Sequence, residues 1–282
     1  MGVRAKNAEI AFFGGSFTAI ERGYMLSLLD AAHEFEQDFA GIRISTRPDC
    51  VDYEVLDILA RYHVTAIELG AQSMCDDVLA LNERGHTAED VVVASQRIKE
   101  RKIALGLQMM TGLYGSDNNK DIYTARQFLR LRPDTVRIYP TVIMKQTALE
   151  RYYIEGKYHP SNLGESVALC ADLIKMFEAE RIPVIRLGLH YSDSLIKNGY
   201  CENYHPAFRE LCESKLFFDS FLEKSSAFDT KRLTVTINPK SLSKFYGQKR
   251  SNLTRLSAMG YELTVHFDDT LEKYELRIEV SV

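Results

Sequence analysis

Six short apolar runs, at 8–13, 41–46, 66–70, 104–110, 135–139 and 182–188, alternate with longer amphipathic stretches at 23–38, 53–62, 88–101, 119–131 and 164–180. This alternation constrains the fold more than any other feature of the chain. In 88–101, Val91, Ala94, Ser95 and Ile98 share one helical face while Glu89, Lys99 and Arg101 lie elsewhere, the period of an amphipathic helix. Strands separated by helices of this length are βα units, and successive βα units build a parallel sheet. Such a sheet holds its ligand at the C-terminal ends of its strands. The residues that follow each run therefore carry the functional reading.

Those residues share a chemistry. The first run, Ile10-Ala11-Phe12-Phe13, breaks into Gly14-Gly15-Ser16-Phe17-Thr18; the second ends in Ser45-Thr46-Arg47-Pro48-Asp49. The third leads to Glu68-Leu69-Gly70-Ala71-Gln72-Ser73 and on to Asn82-Glu83-Arg84-Gly85-His86-Thr87. The fourth ends in Gln108-Met109-Met110-Thr111-Gly112-Leu113-Tyr114-Gly115 and the fifth in Arg137-Ile138-Tyr139-Pro140-Thr141. A double glycine lets backbone approach a ligand without a Cβ in the way. Hydroxyls at Ser16 and Thr18 can hold a polar head group. Any one of these loops reads equally well as a tight turn after a core strand; five in register point to a site at the mouth of a barrel or half-barrel.

The 282 residues allow one large α/β domain with a small appendage. No run approaches 18 consecutive apolar residues and no apolar signal core follows Met1, so a cytoplasmic protein without a membrane span is expected. Cys50, Cys75, Cys170, Cys201 and Cys212 are scattered without a C-x2-C pattern, as buried free thiols are. The net charge of −4 is unevenly spread: from Lys231 onward nine Lys and Arg face six Asp and Glu. A mildly basic C-terminal segment on an acidic body hints at an anionic partner.

The strings at 12–18, 43–49, 68–73, 81–87, 108–115, 136–140 and 205–210 resemble, in the right order, proteins of the radical S-adenosylmethionine (SAM) family. The nearest group is the radical SAM half of the Elongator catalytic subunit and its bacterial relatives; oxygen-independent coproporphyrinogen oxidase is more distant. The resemblance implies a partial (β/α)6 barrel over 1–225, TIM-like and of radical SAM type, with SAM as cofactor. It also implies roles by position. Gly14, Gly15, Ser16 and Thr18 match the loop at the methionyl amino group, Ser45 and Arg47 the carboxylate and ribose, Gln72 and Arg84 further polar contacts, and Gln108, Tyr139 and Pro140 the ribose and adenine side. An arginine for a carboxylate and hydrogen bonds for a ribose suit SAM's zwitterionic head. Tyr114 and Cys50 depart from the pattern, standing where a proline and an aromatic are usual.

The resemblance also implies a four-iron four-sulfur cluster held by a C-x3-C-x2-C loop about one βα unit before the Gly-Gly strand. The first cysteine here is Cys50, so no triad precedes that strand and the usual motif is absent. The expectation is a fragment of an enzyme or a cluster-less, inactive protein, with no catalytic residue or metal ligand assigned. A substitute set of Cys201, Cys212, His190 and His205 is a remote alternative. If the cluster-bearing βα unit is missing, the 8–13 strand becomes an open edge, which predicts low solubility or dimerisation unless Met1–Asn7 fold back over it.

Residues 226–282 read as strand, helix, Gly247-Gln248-Lys249-Arg250 loop, helix, strand, which resembles a KH (RNA-binding) domain with the second loop glycine replaced by arginine. Gly247, Lys249 and Arg250 are its candidate RNA contacts. Two functional readings follow: SAM-dependent radical modification of tRNA, or a non-catalytic protein that binds RNA or another partner. If the loop meets phosphates, Lys249→Glu with Arg250→Glu weakens RNA binding at least tenfold and flattens its salt dependence in a filter-binding assay; unchanged affinity removes the loop from consideration.

Overall fold

The computed structural model describes residues 6–281. The expected alternation is present. Strands β1 (Ile10–Phe12), β2 (Ile42–Thr46), β3 (Val64–Gln72), β4 (Ala104–Thr111), β5 (Thr135–Pro140) and, after a two-residue strand β6 (Ile143–Met144), β7 (Val184–Leu187) form one six-stranded sheet in the order β1-β2-β3-β4-β5-β7. Every pairing in it is parallel. This is the parallel sheet of the partial barrel that the resemblance implies. The crossovers carry α1 (Arg22–His33), α2 (Tyr53–Arg61), the short α3 (Asp76–Leu81) with α4 (Ala88–Glu100), α5 (Asn118–Leu131), and α6 (Ala148–Ile154) with α7 (Leu163–Ala179). Helix boundaries are chemically marked. Asp52, Thr87 and Asp117 accept hydrogen bonds from backbone N–H groups in the first turns of α2, α4 and α5. The stretch expected as one helix over 23–38 is broken: α1 stops at His33, and a separate 3-10 turn spans Glu36–Asp38.

The sheet has two chemically different faces. Ile42, Ile44, Ile67, Leu69, Leu105, Leu107, Val136 and Ile138 are buried, and α2, α4 and α5 pack against β3 and β4. The alternate positions, among them Arg43, Ser45, Glu68, Gln108, Arg137 and Tyr139, carry polar side chains on the opposite, inner face. Among the described residues β1 has one strand neighbour, β2. Of the expected cover over that edge, Met1–Asn7, the first five residues lie outside the described residues.

The described residues divide into two compact units. The first takes the chain up to Pro160, then Met176–Leu187 and Asn198–Tyr200; the second takes Ser161–Lys175, Gly188–Lys197 and Cys201 onward. In the first unit β6 also pairs antiparallel with β8 (Gly199–Tyr200). The second includes α8 (Asp193–Asn198) up to Lys197 and α9 (Phe208–Ser225). It continues through β9 (Arg232–Ile237), α10 (Leu242–Tyr246), α11 (Ser251–Ala258), β10 (Glu262–Phe267) and β11 (Leu276–Val280). Central β9 pairs parallel with β10 and antiparallel with β11. The expected division at 225/226 leaves α9 with the barrel; instead its Phe217 and Phe221 join Leu233, Val235, Ile237, Phe245, Leu256 and Leu276 in the second unit's core. The reason is burial, because those rings have the C-terminal sheet as their apolar partner.

Glu213 of α9 is a buried carboxylate in that unit. It accepts from Tyr274 Oη at 2.5 Å and Arg209 Nε at 2.9 Å, with Lys244 Nζ at 3.2 Å and Lys273 Nζ at 3.3 Å. Burial alone raises its pKa, but the Tyr274 and Arg209 hydrogen bonds and the two lysines outweigh it and hold the carboxyl down at about 2. A carboxyl depressed from 4.5 contributes stability that is fully present above pH 4.5 and lost as pH falls towards 2, about 3 kcal/mol in all. Thermal melts of the intact chain are expected to drop steeply across that window. Glu213→Gln lowers the melting temperature at pH 7 and removes most of the acid-dependent loss.

Candidate functional site

The inner face is organised by one carboxylate. Glu68, on β3, is fully buried. It accepts from Arg43 Nη1 on β2 at 3.2 Å, from Gln108 Nε2 on β4 at 3.1 Å and from Arg137 Nη2 on β5 at 2.7 Å, and Arg137 Nε also pairs with it. Gln108 Nε2 donates as well to Ser45 Oγ at 3.2 Å, and the Arg137 guanidinium lies 4.7 Å from the centre of the Phe13 ring. Arg43 Nε reaches Glu9 at 2.7 Å, and Thr65 Oγ1 donates to the same carboxylate at 2.8 Å. Burial opposes the Arg137 charge, but its bonds to Glu68 prevail and its pKa is raised. Ser45 and Gln108, chosen from sequence as ligand contacts, thus meet in a network that also needs Arg43, Glu68 and Arg137, which sequence reasoning did not select. Period-two alternation places all five on one face and was the available signal.

At the strand ends a second cluster forms. Ser73 follows β3, whose pairing with β4 shifts register between Leu69 and Gln72; Gln72 itself is left-handed, with φ 64°. A bulge and a left-handed non-glycine residue together re-aim a side chain at some conformational cost. The Gln72 amide oxygen is buried without a hydrogen-bond partner, as are Arg84 Nε and His86 Nδ1. His86 Nε2 lies 3.1 Å from the Ala71 carbonyl oxygen, to which it donates, and Nδ1 is left without a partner. Arg47 forms a bidentate pair with Asp49, at 2.9 and 2.6 Å, and its Nη2 lies 3.4 Å from the Gly85 carbonyl. A Cβ on Gly85 would come within 2.9 Å of that Nη2, and Gly85 has φ +73°, so glycine closes this contact. Arg84 is different. Burial and the like charge of Arg47 lower its pKa, and among the described residues no carboxylate pairs with it. Two guanidiniums with one already paired leave a site for one further anionic group.

The other predicted positions are placed as follows. Gly14 and Gly15 have φ +106° and +150° with nothing within 4 Å of either Cβ position, so the loop is open to a ligand. With Ser16 they line a cavity of about 220 Å³ whose remaining wall is apolar, including Phe12, Phe17 and Leu28. Thr18 is committed to structure: its hydroxyl is 2.5 Å from that of Thr46, and its N–H donates to the same oxygen at 3.3 Å. Tyr139 shares the inner face with Arg137, whereas Pro140 is buried on the other face. Tyr114 stacks on Tyr152 with ring centres 4.6 Å apart. From the first turn of α5, buried Asp121 reaches back to the same loop and accepts from Gly112 N at 2.8 Å and Ser116 Oγ at 2.6 Å; burial raises it to about 6 despite those bonds. In the second unit Gly247, Lys249 and Arg250 all have positive φ, at 77°, 52° and 62°, between α10 and α11.

The five cysteines are free thiols, and among the described residues no three His, Cys, Asp or Glu side chains converge to hold a metal. Burial and Asp49 push the Cys50 thiol up, away from thiolate. The substitute set of Cys201, Cys212, His190 and His205 does not come together: Cys212 is buried and Cys201 Sγ faces the Leu195 carbonyl. The donor set here does not fit an iron–sulfur cluster. It does fit SAM, because the unanswered Arg84 and Gln72 atoms and the open Gly14-Gly15 backbone offer what a zwitterionic head and a ribose need.

The fold and site define an α/β half-barrel with a polar ligand cluster at its strand ends, and comparison supplies the family. The profile of the radical SAM superfamily matches residues 2–129, and that of the Radical_SAM C-terminal domain matches 133–217. The chain belongs to the radical SAM superfamily. It is 26% identical over 237 residues to a tRNA uridine(34) acetyltransferase of Dehalococcoides mccartyi, covering 76% of this chain and 51% of the relative. It is 31% identical over 174 residues to an uncharacterized protein of Methanocaldococcus jannaschii, covering 60% and 54%. The archaeal Methanocaldococcus infernus Elp3 with an N-terminal deletion shares the fold, at TM-score 0.64 and 21% identity, over 78% of this chain and 55% of that one. The chain spans about half the length of the first two relatives.

Removing Glu68 leaves Arg137 on the inner face without its counter-ion and Arg43 with Glu9 alone. Glu68→Gln is expected to lower unfolding stability by about 3–5 kcal/mol, read as a shifted urea midpoint at pH 7. The triple replacement of Arg43, Glu68 and Arg137 by Met recovers much of the loss.

Proposed function

We propose that this chain forms the SAM-binding half-barrel of a radical SAM protein that acts on tRNA. The observation that carries the reading is the half-buried Arg84 guanidinium, unpaired beside the Arg47–Asp49 pair, with the unsatisfied Gln72 oxygen at the same strand ends. Arg84 would take the SAM carboxylate, the open backbone of Gly14 and Gly15 would receive the amino end, and the Ser45–Gln108 side would hold the ribose. Tyr139 on the inner face would meet the base. SAM bound with an iron–sulfur cluster supplies radical chemistry in this family; the described residues offer no ligand set for that cluster, so their part is to bind and orient SAM. The tRNA substrate is supported by the names of the relatives, one of them a tRNA uridine(34) acetyltransferase.

Equilibrium dialysis of labelled SAM against the purified chain tests this. Binding is expected, with Arg84→Ala weakening it tenfold or more through loss of a charge-assisted pair and leaving the melting temperature unchanged. No SAM binding by the wild-type chain would overturn the reading. The second reading, a non-catalytic RNA-binding protein, is favoured by the absence of a converging ligand set among the described residues. Salt-sensitive tRNA binding without SAM binding would select it.

A further inference from the structure

At the opposite end of the sheet, where the strands begin, lies a cavity of about 690 Å³. Its charged lining is His63, Lys99, Arg101, Lys102, Arg132 and a single carboxylate, Asp134. This concentration of cations stands on a chain whose net charge is −4. Part of it has a local explanation. Lys99 Nζ bonds the Leu131 carbonyl at the end of α5, Arg101 pairs with Asp57 at 2.8 Å, and His63 lies 3.5 Å from Glu36. Cations at helix C-termini complement the helix dipole. Lys102 and Arg132 are not so engaged: neither side chain has an ion pair or hydrogen bond among the described residues.

Backbone geometry adds a second, independent observation. The turns entering β3, β4, β5 and β7 each contain a left-handed residue, and in every case it is basic: His63 at φ 56°, Lys102 at 57°, Arg132 at 47° and Arg181 at 58°. Glycine or asparagine is what such a position favours. Four neighbouring strands thus place a basic side chain where a cheaper residue would serve the turn. With strands about 4.8 Å apart, the row spans about 14 Å along the sheet, enough for two or three successive phosphates. The cavity lining contains no Phe, Tyr or Trp ring to stack a base.

We propose that this basic rim is a phosphate-binding site, taking two or three phosphates of an RNA backbone or of a free polyphosphate chain. It is independent of the SAM reading at the other end of the strands. The test uses the full chain and its variant carrying Lys102→Gly, Arg132→Gly and Arg181→Gly, which suits the left-handed backbone. The variant is expected to melt at the same or a higher temperature. Affinity for a labelled single-stranded RNA, read by fluorescence anisotropy, falls at least tenfold, and the slope against log salt becomes shallower by about two. Tripolyphosphate, followed by calorimetry, separates the sources. Loss of RNA affinity identifies RNA; loss of tripolyphosphate binding with RNA affinity unchanged identifies free polyphosphate. A variant that keeps its affinity for both probes, or a wild-type chain that binds neither, overturns the proposal.

Discussion

The first unit depends on a single buried carboxylate. Glu68 has no access to water, and an ionised carboxylate in that setting costs several kcal/mol unless it is answered. It is answered from three other strands: Arg43 from β2, Gln108 from β4 and Arg137 from β5. Arg137 in turn covers Phe13 at the end of β1. The charges that make the inner face polar thereby hold its strands in one register. Arginines engaged in this way cannot also answer a ligand's carboxylate, so the open cation lies further on, at Arg84.

The second unit repeats the device with one more cation. Glu213 is shared by Arg209, Lys244, Lys273 and Tyr274, so three cations surround one carboxylate. The buried carboxylate joins α9 to α10 and to the segment before β11. The aromatic core around Phe217, Phe221 and Phe245 supplies the apolar burial on which that electrostatic clasp is set.

Much of this was legible in the chain. The alternation of apolar runs and amphipathic stretches located all six strands of the parallel sheet, and β9 to β11 as well, because side-chain period follows backbone geometry and survives in one dimension. Ser45, Gln72, Arg84 and Gln108 were picked as polar residues at strand ends, and they lie in or beside the two clusters. Thr18 shows where this reasoning stops: a hydroxyl in a ligand loop and a hydroxyl tied to Thr46 look identical in sequence. Arg47 is the same case, since its partner Asp49 is two residues away yet nothing local says that the pair closes. The break after His33, the bulge before Gln72 and the membership of α9 were also hidden, because each is decided by contacts distant in sequence.

The sequence by itself determined the βα order, the parallel sheet and the end of it at which polar residues gather, since these depend on periodicity and on the handedness of the chain. Only the tertiary structure decided which of those polar groups are consumed and which are left over. A buried charge must be paired by whatever folding brings within about 3 Å, and that accounting leaves Arg84 and Gln72 unanswered while Arg43, Arg47 and Arg137 are spoken for.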